Sequence, residues 1–250
     1  MDKELLLKLF GCLDYTSLNA TDSDASIAEL CRKALKMRID GGVHVAGVCV
    51  YPRFVARAAD ILKGSGVRVV SVASDFPHGQ SSLSQKQSDM LALEKEGADE
   101  VDVVINRGLI LQGRYDEASN ELLQQKRMLN KSKMKVILET CELGSPKLVK
   151  TAAQVAIDGG ADFIKTSTGK GSAGTTLEVA EIMLKVIKAN LKKTKNIVGF
   201  KVAGGVKTPE EAVEYARLAI NIMGEEFIDS HTFRIGTSSL TEPLFSLLTF

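Results

Sequence analysis

The chain has 250 residues, enough for one large α/β domain or two small ones, and 32 basic against 31 acidic side chains leave a net charge of +1. That balance excludes a broadly basic nucleic-acid binder and a polybasic membrane anchor. Trp is absent and aromatics are only 5% of the chain, so no platform for stacking bases is expected, and no apolar run approaches the roughly 18 residues of a membrane span.

Met1 to Phe10 reads as a short amphipathic helix, because Lys3, Glu4 and Lys8 interrupt the apolar core a secretory signal would need. Cys12 to Leu18 is a faint strand candidate. Ile27, Leu30, Cys31, Ala34 and Leu35 then follow the spacing of one buried helix face. Strands rich in Val and Ile follow at Val45–Tyr51, Val67–Ala73, Glu100–Asn106 and Lys135–Thr140. Ser145-Pro146 opens a helix that Gly159-Gly160 closes. Asp162–Ser167 is the next strand, and Thr175 with Glu178 reads as a capping box. Ile197–Val202 comes next. A Thr cap, a first-turn Pro and a Glu start a helix at Thr208-Pro209-Glu210-Glu211. Phe233–Thr237 is the last strand.

No linker, low-complexity tract or composition break divides the chain. Eight strand–helix units over residues 1–250 predict a single (β/α)8 TIM barrel with a short N-terminal helix. A doubly wound open sheet is the alternative. The cysteines Cys12, Cys31, Cys49 and Cys141 are scattered, without zinc-site spacing, and suit a reducing, cytoplasmic setting. His44, His78 and His231 lie far apart, so neither a metal nor a cofactor is expected.

Three charges stand where a barrel strand should be apolar: Asp102, Lys165 and Lys201. Both faces of such a strand are covered, so each charge must be paired or used. The plain alternative is that Asp102 neutralises one lysine in a structural ion pair. Two lysines held close disfavour each other's protonation, and burial acts in the same direction. One of them can then be a neutral nucleophile that forms a Schiff base with a carbonyl. The iminium stabilises a carbanion on the adjacent carbon, which is aldolase chemistry without a metal. A carboxylate such as Asp102 can pair with a lysine or relay protons.

Glycines and hydroxyls gather at the late strand ends, in Thr168-Gly169-Lys170, Gly204-Gly205 and Gly236-Thr237-Ser238-Ser239. The loops after strands 7 and 8 are the usual phosphate site of barrel enzymes. Ordinary turn chemistry is the competing explanation for any one of them. Thr168-Gly169-Lys170 is not a Walker loop, because the upstream glycine is missing.

These residues resemble the deoxyribose-phosphate aldolase family over nearly the whole chain. The resemblance is carried by Leu13-Asp14-Tyr15-Thr16-Ser17-Leu18-Asn19, Val50-Tyr51-Pro52-Arg53-Phe54, Asp75-Phe76-Pro77-His78-Gly79 and Gly97 to Val104. Ala161-Asp162-Phe163-Ile164-Lys165-Thr166-Ser167-Thr168-Gly169, Gly199-Phe200-Lys201 and Gly236-Thr237-Ser238-Ser239 complete it. It implies reversible cleavage of 2-deoxy-D-ribose 5-phosphate into D-glyceraldehyde 3-phosphate and acetaldehyde. It implies a Schiff base on Lys165, a pKa-lowering role for Lys201 and a place for Asp102 in a proton relay. Gly169, Lys170, Gly204, Gly205, Gly236, Ser238 and Ser239 match the family's phosphate-binding positions, and Asp14, Thr16 and Asn19 its N-terminal motif near the substrate. Cys49 matches a thiol near the site, although a small strand filler is its ordinary reading.

Two departures stand out. Val202 follows Lys201 where the family often has Pro, which would stiffen the strand end. The chain ends in Phe250 where some members have a tyrosine that helps proton transfer, and Phe250 cannot do so. The expected partners are therefore phosphosugar and aldehyde molecules, with no nucleic acid and no membrane; a homodimer is left open. Another phosphosugar lyase or isomerase on the same barrel, and a non-catalytic barrel, are the alternatives. The lack of clustered His ligands argues against a metal-dependent aldolase.

Overall fold

The computed structural model describes residues 2–39 and 41–249. Helix α1 (Lys3–Phe10) is followed by β1 (Leu13–Thr16), α2 (Asp24–Lys36), β2 (Gly47–Val50), α3 (Val55–Leu62) and β3 (Arg68–Ala73). Then come α4 (Leu83–Glu96), β4 (Glu100–Val104), α5 (Arg107–Leu111), α6 (Tyr115–Lys126), β5 (Lys133–Ile137) and α7 (Pro146–Asp158). The last elements are β6 (Phe163–Lys165), α8 (Leu177–Thr194), β7 (Gly199–Ala203), α9 (Pro209–Met223), β8 (Phe233–Thr237) and α10 (Thr241–Thr249). Among the described residues, no helix is long and apolar enough to cross a membrane.

The eight strands pair in sequence order, and β8 returns to β1 to close the ring. All pairs are parallel, as short strands joined by helical crossovers require. The faint first strand is therefore essential. It closes the barrel through Leu13 opposite Ile235 and Asp14 opposite Gly236. The open-sheet alternative is excluded by that closure.

Apolar side chains on the outer faces of the strands pack against the helices. Val101, Val103, Ile164, Val202 and Ile235 belong to this layer. Helices contribute stripes such as Ile27, Cys31 and Ala34 on α2 and Val149, Ala152, Ala153 and Ala156 on α7. Helix α1 buries Leu6, Leu9 and Phe10 and packs on α9 and α10. The Ser145 cap and the Thr208–Glu211 capping box open α7 and α9 as their sequences predict; such a cap contributes about 1 kcal/mol. The cap of α8 falls one residue later than the Thr175–Glu178 pattern predicts. Thr176 Oγ1 accepts the Val179 amide, while the Thr175 amide is drawn off to the Gly204 carbonyl at 3.1 Å.

The inner faces are different. Successive strand residues alternate faces, so Asp14, Glu100, Asp102, Lys135, Lys165, Lys201 and Arg234 all point into the barrel with Phe163. Branched apolar residues usually fill this space. Phe163 fits because Gly199 opposite it has no side chain; a Cβ there would lie 2.2 Å from the ring. Val202 faces the helices, opposite Ile235 on β8, and β7 runs on regularly to Ala203. Phe250 lies outside the described residues, as does Met1.

Candidate active site

The register sets the charges side by side. Asp102 on β4 is opposite Lys135 on β5, and Lys165 on β6 is opposite Lys201 on β7, which is opposite Arg234 on β8. All are at most 3% exposed. Asp102 is the hub. Its Oδ2 accepts from Lys165 Nζ and from Lys201 Nζ, each at 2.8 Å, and its Oδ1 accepts from Lys135 Nζ at 3.0 Å. Lys135 also pairs with Glu100 at 2.5 Å. Lys201 has a second carboxylate, Asp14, at 2.5 Å. Arg234 bridges Asp14 and Glu100, the latter at 2.6 Å.

Three buried carboxylates thus face four buried cations. An uncompensated buried charge costs several kcal/mol. The account balances if one cation is neutral. Arg68, 3.5 Å from Glu100, has a partly exposed side chain and is screened by solvent.

The four cations are not equally paired. Lys165 has only the carboxylate oxygen it shares with Lys201. Burial, the largest effect, and then the Lys201 ammonium lower its pKa, against the pull of Asp102. Burial opposes the charge of Lys201 as well, but Asp102 and Asp14 together outweigh it and raise its pKa. Arg234 is raised by Asp14 and Glu100 against its burial. Burial also opposes the charge on Asp102, yet Lys135, Lys165 and Lys201 hold its carboxyl well below the usual range. Asp102 thus ion-pairs with Lys135, Lys165 and Lys201, and of these Lys165 has no second carboxylate.

Lys165 is also the member of the set that opens onto a cavity. This space of about 250 Å³ lies at the C-terminal ends of the strands. Thr16, Leu18 and Asn19 form one wall. The opposite wall is Thr168-Gly169-Lys170, and Ala203 to Lys207 with Gly236 to Ser239 complete it. Gly204 and Gly205 have φ of 80° and 102°, a left-handed conformation that side chains disfavour. Two lysines, Lys170 and Lys207, bring positive charge to this polar cradle.

Of the residues singled out from the sequence, Lys165, Thr16, Asn19, Gly169, Lys170, Gly204, Gly205, Gly236, Ser238 and Ser239 line the cavity. Asp14 does not. Its carboxylate accepts from Lys201 and Arg234 in the charge network. Cys49 is also buried beneath the cavity, and burial pushes its thiol up to about 11. It is a neutral thiol at physiological pH. Gly236 has a second use: a Cβ there would lie 3.0 Å from Lys201 Cε.

Sequence reasoning missed Glu100, Lys135 and Arg234. They carry the same signal as Asp102, a charge in a barrel strand. Lys207 was also missed; it follows directly on the Gly204-Gly205-Val206 turn.

Residues 11–240 match the model of the DeoC/LacD family aldolases. Deoxyribose-phosphate aldolase of Mus musculus is 40% identical over 94% of this chain and 78% of its own length. The Homo sapiens protein of that name is 38% identical over the same shares. A solved structure named QR15, an aldolase, superposes with a TM-score of 0.79 at 29% identity, covering 97% of this chain and 99% of its own. The chain belongs to the DeoC/LacD family of aldolases.

Proposed function

We propose that this protein is a class I deoxyribose-phosphate aldolase that cleaves 2-deoxy-D-ribose 5-phosphate reversibly, with Lys165 as the Schiff-base residue. One observation carries the reading. Within the buried charge network, Lys165 is the lysine without a carboxylate of its own, and it is the one that lines the cavity.

The open-chain sugar enters with its phosphate toward Lys170, Lys207 and the glycine loops, where backbone amides and cations suit an anion. Neutral Lys165 attacks the C1 aldehyde, and loss of water leaves an iminium. Removal of the C3 hydroxyl proton lets the C2–C3 bond break. Its electron pair moves toward the iminium nitrogen and leaves an enamine on C1 and C2. C3 departs as the aldehyde of glyceraldehyde 3-phosphate. Protonation of C2 and hydrolysis then release acetaldehyde and return the amine. Asp102 touches the Nζ atoms of both Lys165 and Lys201, so it is placed to pass protons between the reacting nitrogen and its neighbour. Lys201 stays cationic and keeps the Lys165 amine neutral.

The same reading places one catalytic domain in the cytoplasm, where the free cysteines stay reduced. Purified protein should release acetaldehyde from deoxyribose 5-phosphate, and borohydride with acetaldehyde should add mass to the peptide bearing Lys165. Full turnover by Lys165→Ala would overturn the assignment. Preferential turnover of a ketose phosphate would move it to another phosphosugar lyase or isomerase.

A further inference from the structure

One buried acid near the cavity takes no part in the charge network. Glu139 follows β5 and is 1% exposed. Among the described residues it forms no ion pair. Its backbone has φ 49° and ψ 62°, in the left-handed region that a side chain rarely adopts. Strain of this kind persists only where surrounding contacts hold it.

The hydrogen bonds of its carboxylate run mainly to the loop between β6 and α8. Glu139 Oε2 accepts the Thr168 amide at 3.2 Å and also the Thr168 hydroxyl. The same hydroxyl oxygen accepts the Lys170 amide at 2.9 Å. Glu139 Oε1 accepts from Cys141 Sγ at 3.7 Å. The loop then passes directly over the carboxylate at Gly171, where a Cβ would lie 3.2 Å from Glu139 Cδ. Thr168, Gly169 and Lys170 are the cavity wall on this side. A single carboxylate therefore ties down the backbone that presents Lys170.

We propose that Glu139 is a positioning residue that fixes the Thr168–Lys170 wall in its anion-binding shape, and so sets the affinity for the phosphate end of the substrate. This rests on the aldolase reading for the identity of the substrate. Glu139 forms no hydrogen bond or ion pair with Lys165 Nζ or Asp102, so the Schiff-base step does not depend on it directly. A carboxylate suits this role because it accepts two donors from one residue at once, and hydrogen bonds to a charged acceptor are the strong ones.

The test compares the wild type, Glu139→Ala and Glu139→Gln by two readouts. One is phosphate affinity, from the inorganic phosphate Kd by calorimetry and the KM for deoxyribose 5-phosphate. The other is the rate at which borohydride traps acetaldehyde on Lys165. Glu139→Ala should weaken both phosphate measures by about tenfold or more, the loss expected for hydrogen bonds to a charged group, while trapping stays near wild type. Glu139→Gln, which keeps the shape and one acceptor, should show a smaller loss in the same direction. Its effect should largely vanish in a Thr168→Val background, because the two side chains act as one unit. Unchanged phosphate affinity in folded Glu139→Gln, or equal losses in trapping and affinity, would overturn the proposal. If the wild type neither traps acetaldehyde nor cleaves the sugar, but phosphate affinity still responds to Glu139, the aldolase reading fails and the role of Glu139 stands.

Discussion

Replacing Lys201 with Leu removes the cation nearest to Lys165. Both ammonium nitrogens lie 2.8 Å from the same Asp102 oxygen. They are therefore at most about 5.6 Å apart, twice that distance, and at an effective dielectric near 20 two unit charges there repel by roughly 3 kcal/mol. That is about 2 pKa units. The sign is set by charge type. Loss of a neighbouring cation favours protonation of Lys165, and the freed Asp102 oxygen adds to the same effect. The acid limb of the kcat/KM–pH profile should therefore shift upward by about 2 units in Lys201→Leu, and activity at pH 7 should fall by roughly a hundredfold from this cause alone. Borohydride trapping of acetaldehyde across the same pH range should show the same shift, free of later steps. A thermal melt checks that the variant remains folded. An unmoved acid limb, or one displaced to lower pH, would refute the two-lysine argument.

Arg234→Met should leave Asp14 and Glu100 each short of a buried partner, and cost about 3–5 kcal/mol of stability; chemical denaturation measures it. Gly236→Ala should press on the Lys201 stem 3.0 Å away and lower kcat; steady-state kinetics measures it. Stability should also fall in acid. Asp14, Glu100 and Asp102 have folded pKa values below their unfolded ones. Their contribution is complete above about pH 4, the unfolded carboxylate value, and is lost as the pH falls below it; urea midpoints taken from pH 7 downward read this directly.

Much of this was legible in the sequence because a barrel strand advertises its misfits. Asp102 lies among valines, and Lys165 and Lys201 follow apolar residues at mid-strand. Glu100 and Lys135 carry the same charges but begin their predicted strands, where a charge reads as a solvent-facing end. Arg234 stands second in its strand and was overlooked for the same reason. The structure shows why position misled: the barrel closes tightly enough that even these early residues are sealed from water. The role of Asp14 was harder to see. It depends on β1 closing against β8, which places residues more than two hundred positions apart in one ion pair. The one-residue offset at Thr176 has a local cause, because two adjacent threonines offer equivalent caps and only the Gly204 contact decides between them. Glu139 lay beyond sequence reasoning altogether, since its partner Thr168 sits on the following strand's loop.

The fold gives Lys201 two carboxylates and Lys165 half of one. Titration of the lysine side chains by NMR, with Lys165→Met and Lys201→Met used for assignment, tests it most directly. Lys165 should titrate below the ordinary lysine value of 10.5 and Lys201 above it. The reverse order, or two lysines that both titrate at the ordinary value, would contradict it.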